Sequence, residues 1–298
     1  MTNPPRSLLI PFAVTCIGIA LFSAMDAFMK RLSIDIGAYN AMLWRTMVGA
    51  VLGGTLFALR REILPKKSAL RLHLMRGTIS AFMATSFFWG IARVPLAEGM
   101  ALSFIAPLIT LYLAAVLLKE KIRPPAIIAS LLGLAGVGVI LSARLGAAQY
   151  DANVLWGIAS IFLSAILYAY NLILQRQQAQ VATPLEVGFF QSLIACGVLS
   201  IAAPFWAVVP AAANWPDIAI SAVLAIVSLM LISWAYARAE AQILVAAEYT
   251  AFIWAALLGW VMFREPVSTA TLAGAVLIVA ACIIATRQKP QHIEVTAI

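Results

Sequence analysis

Apolar residues run along this chain in long blocks, separated by short breaks of polar, proline or glycine positions. Ten blocks approach the length of about 20 residues that a helix needs to cross the hydrocarbon core of a bilayer. They cover residues 8–29, 38–58, 74–92, 97–118, 125–143, 153–174, 185–208, 217–237, 242–262 and 268–286. The breaks carry turn chemistry: Val94-Pro95, Arg123-Pro124-Pro125, Thr183-Pro184, Trp215-Pro216 and Glu265-Pro266. Proline disfavours helix at the residue before it. A transmembrane β-barrel is excluded, because the blocks are too long and too uniformly apolar to alternate every second residue. The first block is too long for a signal h-region, holds Asp26 and lacks a clear cleavage site, so it reads as a retained span. The pattern predicts an all-α membrane protein with ten transmembrane helices and the lipid bilayer as its solvent.

Composition agrees and narrows the class. Apolar residues are 63% of the chain and charged ones 11%, against about 45–50% and 25% in soluble proteins. A soluble fold could not cover that much apolar surface, and no polar stretch is long enough for a soluble domain. The charge of +8 is a record of topology. With a cytoplasmic N-terminus, 14 Lys and Arg fall inside: Arg6, Arg60, Arg61, Lys66, Lys67, Arg71, Arg76, Lys119, Lys121, Arg123, Arg176, Arg238, Arg287 and Lys289. Five fall outside: Lys30, Arg31, Arg93, Arg144 and Arg264. The positive-inside rule then puts both termini in the cytoplasm. The basic balance therefore implies no nucleic acid.

Metal and cofactor chemistry have no foothold. Cys16, Cys196 and Cys282 lie in apolar runs without metal spacing, and His73 and His292 sit in polar segments without a metal motif. Gly133 and Gly138 fall mid-span with no strand before them, so they make no phosphate loop. Together with Gly136, Ala270 and Gly274 they read as close helix packing. The reading is of no enzyme, no cofactor and no metal.

The chain repeats itself at an offset of 145 residues. Trp89-Gly90-Ile91-Ala92-Arg93 falls on Trp234-Ala235-Tyr236-Ala237-Arg238, Leu118-Lys119-Glu120-Lys121-Ile122 on Phe263-Arg264-Glu265-Pro266-Val267, and Asp26 on Asn171. Two halves follow, 1–146 and 147–298, of five spans each. Five is odd, so the second half enters the membrane from the opposite side. Such inverted-topology repeats recur in secondary transporters.

The stretch Ala97-Glu98-Gly99-Met100-Ala101-Leu102-Ser103-Phe104-Ile105-Ala106-Pro107-Leu108, with Leu117-Leu118-Lys119-Glu120-Lys121 and Leu131-Leu132-Gly133-Leu134-Ala135-Gly136-Val137-Gly138-Val139, resembles the EamA-type repeat of the drug/metabolite transporter superfamily. Arg264-Glu265, Lys30 and Arg45 match the same pattern. The resemblance implies ten helices in a bacterial inner membrane, a small-molecule substrate, and a cavity lined by spans 1, 3, 4, 6, 8 and 9. Phe22-Ser23-Ala24-Met25-Asp26-Ala27 with Gly37-Ala38-Tyr39-Asn40 is also similar to exporters of aromatic amino acids.

Ionisable groups inside lipid are costly and need a reason. Asp26 reads either as a cation, amine or proton site, or as a structural partner of Arg45 or Lys30. Glu98 reads as a carboxylate in a helix's first turn or as an amine contact. Glu248 reads as an amine or proton site, or as a partner of Arg238. Arg45 suits a substrate carboxylate or a folding role. Lys119-Glu120 and Arg264-Glu265 read as interfacial ion pairs. Deep aromatics, among them Phe82, Tyr168, Trp234, Tyr249 and Trp254, could line a cavity for a planar molecule, and Ser86, Ser103 and Asn171 could orient its polar groups.

The expected function is export of small amphipathic metabolites, chiefly aromatic or other apolar amino acids, by alternating access. Protons are a candidate coupling ion, with Asp26 and Glu248 as candidate carriers, and one chain is expected to suffice. Aromatic cations, drugs and vitamin- or nucleoside-like metabolites are the competing substrates. A membrane-embedded transferase and a passive channel are the rivals of another class.

Overall fold

The computed structural model describes residues 9–106, 109, 113, 124–145, 152–236, 238 and 250–286. Among these are eleven α-helices, one 3-10 turn (Ala212–Asn214) and no strand. The helices are α1 (Leu9–Ile36), α2 (Ala38–Leu59), α3 (Lys67–Ile91), α4 (Leu96–Ser103), α5 (Pro124–Leu145), α6 (Ala152–Ala179), α7 (Pro184–Ser200), α8 (Ala203–Trp206), α9 (Trp215–Tyr236), α10 (Thr250–Phe263) and α11 (Thr269–Thr286). Four segments are long and apolar enough to cross a membrane: Ile10–Ile36, Ala38–Leu59, Ala152–Gln175 and Ala212–Ala235. Val51, Ile128, Trp156, Ile253 and Val276 each stay more than half exposed on the outside of the bundle, as expected where lipid is the solvent.

The helices pair most extensively as α1 with α9, α3 with α6, α2 with α7, and α5 with α11. Small residues set these approaches. A Cβ on Gly90 would come within 2.7 Å of the Gly157 carbonyl, and one on Gly136 within 2.7 Å of the Gly274 carbonyl. Such contacts let backbones meet where lipid supplies no hydrophobic drive. Gly136 and Gly274 thus act as the sequence suggests, whereas Gly138 faces open space.

Helix ends depart from the apolar blocks where polar side chains find partners inside the bundle. α1 runs to Ile36 instead of ending near 29. Lys30 and Arg31 in its extra turns pair with Glu265 and Asp217. α3 begins at Lys67 rather than 74, so His73 and Arg76 are helical and buried rather than part of a polar loop. The block 185–208 is not one helix. α7 stops at Ser200, and the chain after α8 is pinned over the start of α2, where Val208 N–H donates to Asn40 Oδ1 and the Trp44 indole donates to the Val208 carbonyl, both at 2.8 Å. The blocks 97–118 and 242–262 lie partly outside the described residues.

Candidate functional site

A cavity of about 240 Å³ lies between α1, α2, α3, α4, α6, α7 and α9. Its wall is mostly apolar, with Met25, Met42, Met83, Met100, Phe22, Phe87, Phe88 and Phe104. Methionine and aromatic side chains give an adaptable, polarisable surface. Into this wall the first two helices place opposite charges, Asp26 from α1 and Arg45 from α2.

The two groups act on each other electrostatically but make no direct ion pair. Among the described residues the ion pairs within 4.0 Å are Lys30–Glu265, Arg31–Asp217 and His73–Glu186, and neither Asp26 nor Arg45 belongs to one. The guanidinium of Arg45 reaches only thioether sulfurs, Met25 Sδ at 3.7 Å and Met42 Sδ at 3.4 Å, and its buried Nε has no hydrogen-bond partner. A thioether is a weak acceptor. The Ser23 hydroxyl and the Gln191 amide oxygen line the same cavity and are also unsatisfied. Buried polar groups are ordinarily satisfied.

Below Asp26 and Arg45 the cavity wall passes into a buried polar chain. Thr183 caps α7, its hydroxyl accepting from Glu186 N–H at 3.2 Å. The Glu186 carboxylate does not fold back on that cap. It meets His73 Nε2 at 2.7 Å, and Phe190 stacks on the imidazole at 4.8 Å. His73 Nδ1 lies at the Gln178 amide nitrogen. The Gln178 carbonyl accepts from Arg76, Arg76 Nε donates to Asn171 Oδ1 at 3.2 Å, and Asn171 donates to Ser80 at 2.7 Å. Arg76, Asn171 and Ser80 line the cavity; His73, Gln178 and Glu186 stand behind it.

At the other end of α1, Lys30 donates to the Val94 carbonyl at 2.8 Å and pairs with the Glu265 carboxylate. The other oxygen of Glu265 accepts the Leu96 N–H at 2.8 Å, the first amide of α4. Helix N-termini leave such amides without intrahelical partners. Glu265 is aimed there by the left-handed turn at Arg264, φ 56°, in which Glu265 N–H returns to the Gly259 carbonyl at 3.1 Å. Arg264 is therefore not the partner of Glu265, which corrects the expected interfacial pair between these neighbours.

The model of the EamA-like transporter family matches residues 10–142 and 155–287. The chain belongs to the EamA-like transporter family. Its similarity to a pseudopaline exporter of Pseudomonas aeruginosa is 26% identity over 273 residues, 90% of this chain and 93% of that protein. To an S-adenosylmethionine uptake transporter of Rickettsia bellii it is 24% over 268 residues, 87% of each chain. A crystal structure that is 20% identical superposes with a TM-score of 0.64, covering 93% of this chain and 96% of the other, which shows a shared fold. This is thus a multi-pass membrane protein of a transporter family.

In this EamA-like transporter the cavity gathers Asp26, Arg45, Ser103, Tyr168 and Asn171. Four other expected lining residues stand elsewhere. Phe82 is 58% exposed on the outside of the bundle, and Ser86 uses its carbonyl to accept from Ser160 at 2.8 Å. Trp234 borders a separate cleft beside Arg60 and Glu62, under the Arg238 guanidinium at 4.1 Å. Trp254 packs into the apolar core. Glu248 and Tyr249 lie outside the described residues. Of the two partners considered for Asp26 from sequence, Lys30 pairs with Glu265 instead, while Arg45 interacts with Asp26 electrostatically without a direct ion pair. Arg76, His73, Gln175, Gln178, Glu186 and Gln191 were missed, Arg76 because it was counted with the loop charges. Helical spacing held the signal. His73, Arg76 and Ser80 recur at three and four residues, as do Ser164, Tyr168, Asn171, Gln175 and Gln178, so two polar seams face each other.

Proposed function

We propose that this transporter carries a small zwitterion with an apolar side chain, of the aromatic or apolar amino acid class, across the bacterial inner membrane. The observation that carries the reading is that Asp26 and Arg45 line one largely apolar cavity without a direct ion pair between them, with Arg45 Nε lacking a hydrogen-bond partner. The carboxylate of Asp26 meets an ammonium group and the Arg45 guanidinium meets a carboxylate. Charge-assisted hydrogen bonds of this kind contribute about 1.5–3 kcal/mol each. The surrounding methionine and phenylalanine side chains hold the apolar part. A volume near the small end of the roughly 300–1,000 Å³ usual for ligand sites favours a single small molecule. Export is our reading of direction, supported by the exporter named among the relatives.

The architecture proposed is ten spans in two inverted halves, 1–146 and 147–298, with both termini cytoplasmic. Three observations support it. The two family matches begin 145 residues apart, at 10 and 155, the offset found in the sequence. The pairing of α1 with α9 and of α3 with α6 maps onto itself when the halves are exchanged, as do α2 with α7 and α5 with α11. The Arg93 guanidinium lies over Trp89 at 3.4 Å and donates to its carbonyl, and Arg238 does the same on Trp234 at 4.1 Å. Rocking of one half against the other exposes the cavity to each side in turn. The substrate passes unchanged, one chain suffices, and no cofactor takes part.

The test is counterflow of labelled L-phenylalanine in proteoliposomes, with phenethylamine and hydrocinnamate as competitors. The zwitterion is expected to compete best. Equal competition by either singly charged analogue, or no movement of L-phenylalanine, overturns the substrate reading.

A further inference from the structure

The buried chain from Glu186 to Arg76 has a property that follows from hydrogen-bond valence alone. Arginine only donates, so the Gln178 atom facing Arg76 must be its carbonyl oxygen. The Gln178 amide nitrogen then faces His73 Nδ1, and since that nitrogen only donates, Nδ1 must carry a lone pair. The proton of the neutral ring is therefore on Nε2, where it is donated to the Glu186 carboxylate at 2.7 Å. Each amide and ring orientation is fixed by its neighbour. His73, Arg76, Gln178 and Glu186 are each no more than 6% exposed, so water does not blur the assignment.

A proton added at Nδ1 changes both bonds that Gln178 makes. Nδ1–H would point at the Gln178 amide nitrogen, donor against donor. The amide must turn over and offer its carbonyl to His73. Its nitrogen then faces the Arg76 guanidinium, again donor against donor, and Arg76 loses its bond to Gln178. Held now by Asn171 alone, and beside a new positive charge, the guanidinium is turned out toward the cavity it lines. We infer that His73 and Glu186 form a proton-binding site whose occupancy the Gln178 amide relays to Arg76 in the cavity wall. The inference rests on the proposed zwitterion reading only for what the cavity holds.

The surroundings suit the role. Glu186 on α7 keeps the imidazolium paired when it forms, and histidine is the side chain most used to carry protons near neutral pH. Tyr168 and Asn171 reach the Arg76 end from α6, and α3 supplies Arg76 itself. Across the cavity stand Asp26 from α1 and Arg45 from α2. Glu98 on α4 belongs to the Lys30 end. A freed Arg76 adds a second cation for a bound carboxylate. By linkage, proton and carboxylate each favour the binding of the other. Efflux of a carboxylate-bearing substrate down its own gradient then carries a proton with it.

The test uses the full chain. There are two histidines, so in a His292→Ala protein labelled with 15N-histidine and 15N-arginine the ring signals report on His73 alone, and the Arg76 Nε–H signal is assigned by its loss in Arg76→Lys. The His73 ring is expected to show the Nε2–H tautomer at the alkaline end of a pH series and a second ring proton at the acid end, with the Arg76 Nε–H signal moving in step. In Gln178→Leu the ring still titrates while Arg76 stays still. A ring that keeps one state across that range, or an Arg76 signal unchanged while His73 titrates in the otherwise native chain, overturns the inference. In parallel, affinity for L-phenylalanine is expected to rise about fivefold or more from about pH 8 to pH 6, the low end of coupling between two sites. His73→Gln and Gln178→Leu each flatten that dependence. Expected resonances with no binding of L-phenylalanine leave the proton site standing and overturn the zwitterion reading. Binding whose pH dependence survives both variants overturns the relay.

Discussion

Lys30 is paired with Glu265, 235 residues further along the chain, and not with Asp26 one turn before it. The pair ties α1 to the turn after α10, and through Leu96 N–H and the Val94 carbonyl to the start of α4. It also leaves Arg45 as the cation acting on Asp26. Removing one partner of a buried pair strands the other charge, which costs about 3–5 kcal/mol. Glu265 keeps 22% of its side chain exposed, so the low end of that range is expected for Lys30→Met. Thermal unfolding in detergent should show Glu265→Gln, which strands the more deeply buried Lys30, below Lys30→Met. The double variant should fall less than the two single losses combined, since the pair shares one interaction. Additive losses would mean that the two side chains act independently.

On the proposed reading Asp26 and Arg45 divide a zwitterion between them, so their substitutions should separate its two charges. Arg45→Gln is expected to weaken L-phenylalanine by about 10–150-fold, the equivalent of one charge-assisted bond at about 1.5–3 kcal/mol, and to weaken phenethylamine much less. Asp26→Asn should do the reverse, sparing hydrocinnamate. Competition against labelled substrate in proteoliposomes reads both. Equal losses for all three compounds in either variant would assign that residue to folding instead of recognition.

How much of this was legible beforehand depends on which signal each residue left. Asp26 and Arg45 stood out because a charge inside an apolar run has no cheap explanation. Gly136 and Gly274 stood out as small residues on packed helices. His73 and Arg76 did not, because the first turns of α3 hold Lys67, Arg71, His73 and Arg76 together, and hydropathy averages such a stretch into a loop. What separates them is direction: His73 and Arg76 turn inward to Gln178 and Glu186, while Arg71 remains exposed. That sorting requires the facing seam on α6, and which helices face each other is not written in a window of one. The Lys30–Glu265 pair was hidden for the same reason, since local reading joins Glu265 to its neighbour Arg264.

Glycines on the packed helices should respond to substitution by position, not by identity. A Cβ at Gly136 would press within 2.7 Å of the Gly274 carbonyl and of Ile278, and backbone there cannot yield. Gly136→Ala is expected to destabilise by about 1–3 kcal/mol, the usual cost of overpacking. Gly138, two residues on, meets nothing within 4 Å. Gly138→Ala should be neutral or should stabilise by up to about 1 kcal/mol through helix propensity. Comparing the two by thermal midpoint removes the shared effect of glycine on the unfolded chain. A similar response from both would place the contact of α5 with α11 elsewhere.

The proposed two five-span halves make a further demand that packing alone does not. If each half crosses the membrane an odd number of times, the junction near Gly146 and the two ends of the chain lie on opposite sides. The basic residues predict which side is which, because most of them fall in segments shared with the termini. A fluorescent reporter that matures only in the cytoplasm, fused after Ile298, should therefore shine, and the same reporter fused after Gly146 should stay dark. A phosphatase that folds only outside the inner membrane should give the opposite pattern. Equal signals at the two positions would require an even number of crossings between them and would remove the inverted relation of the halves. Charge removal supplies a second check on the cause. Replacing Arg60, Arg61, Lys66 and Lys67 with neutral residues lowers the inside count from 14 to 10 while leaving the 5 outside, so the bias persists and the orientation should hold. Loss of orientation in that variant would show that the loop after α2 governs insertion by itself.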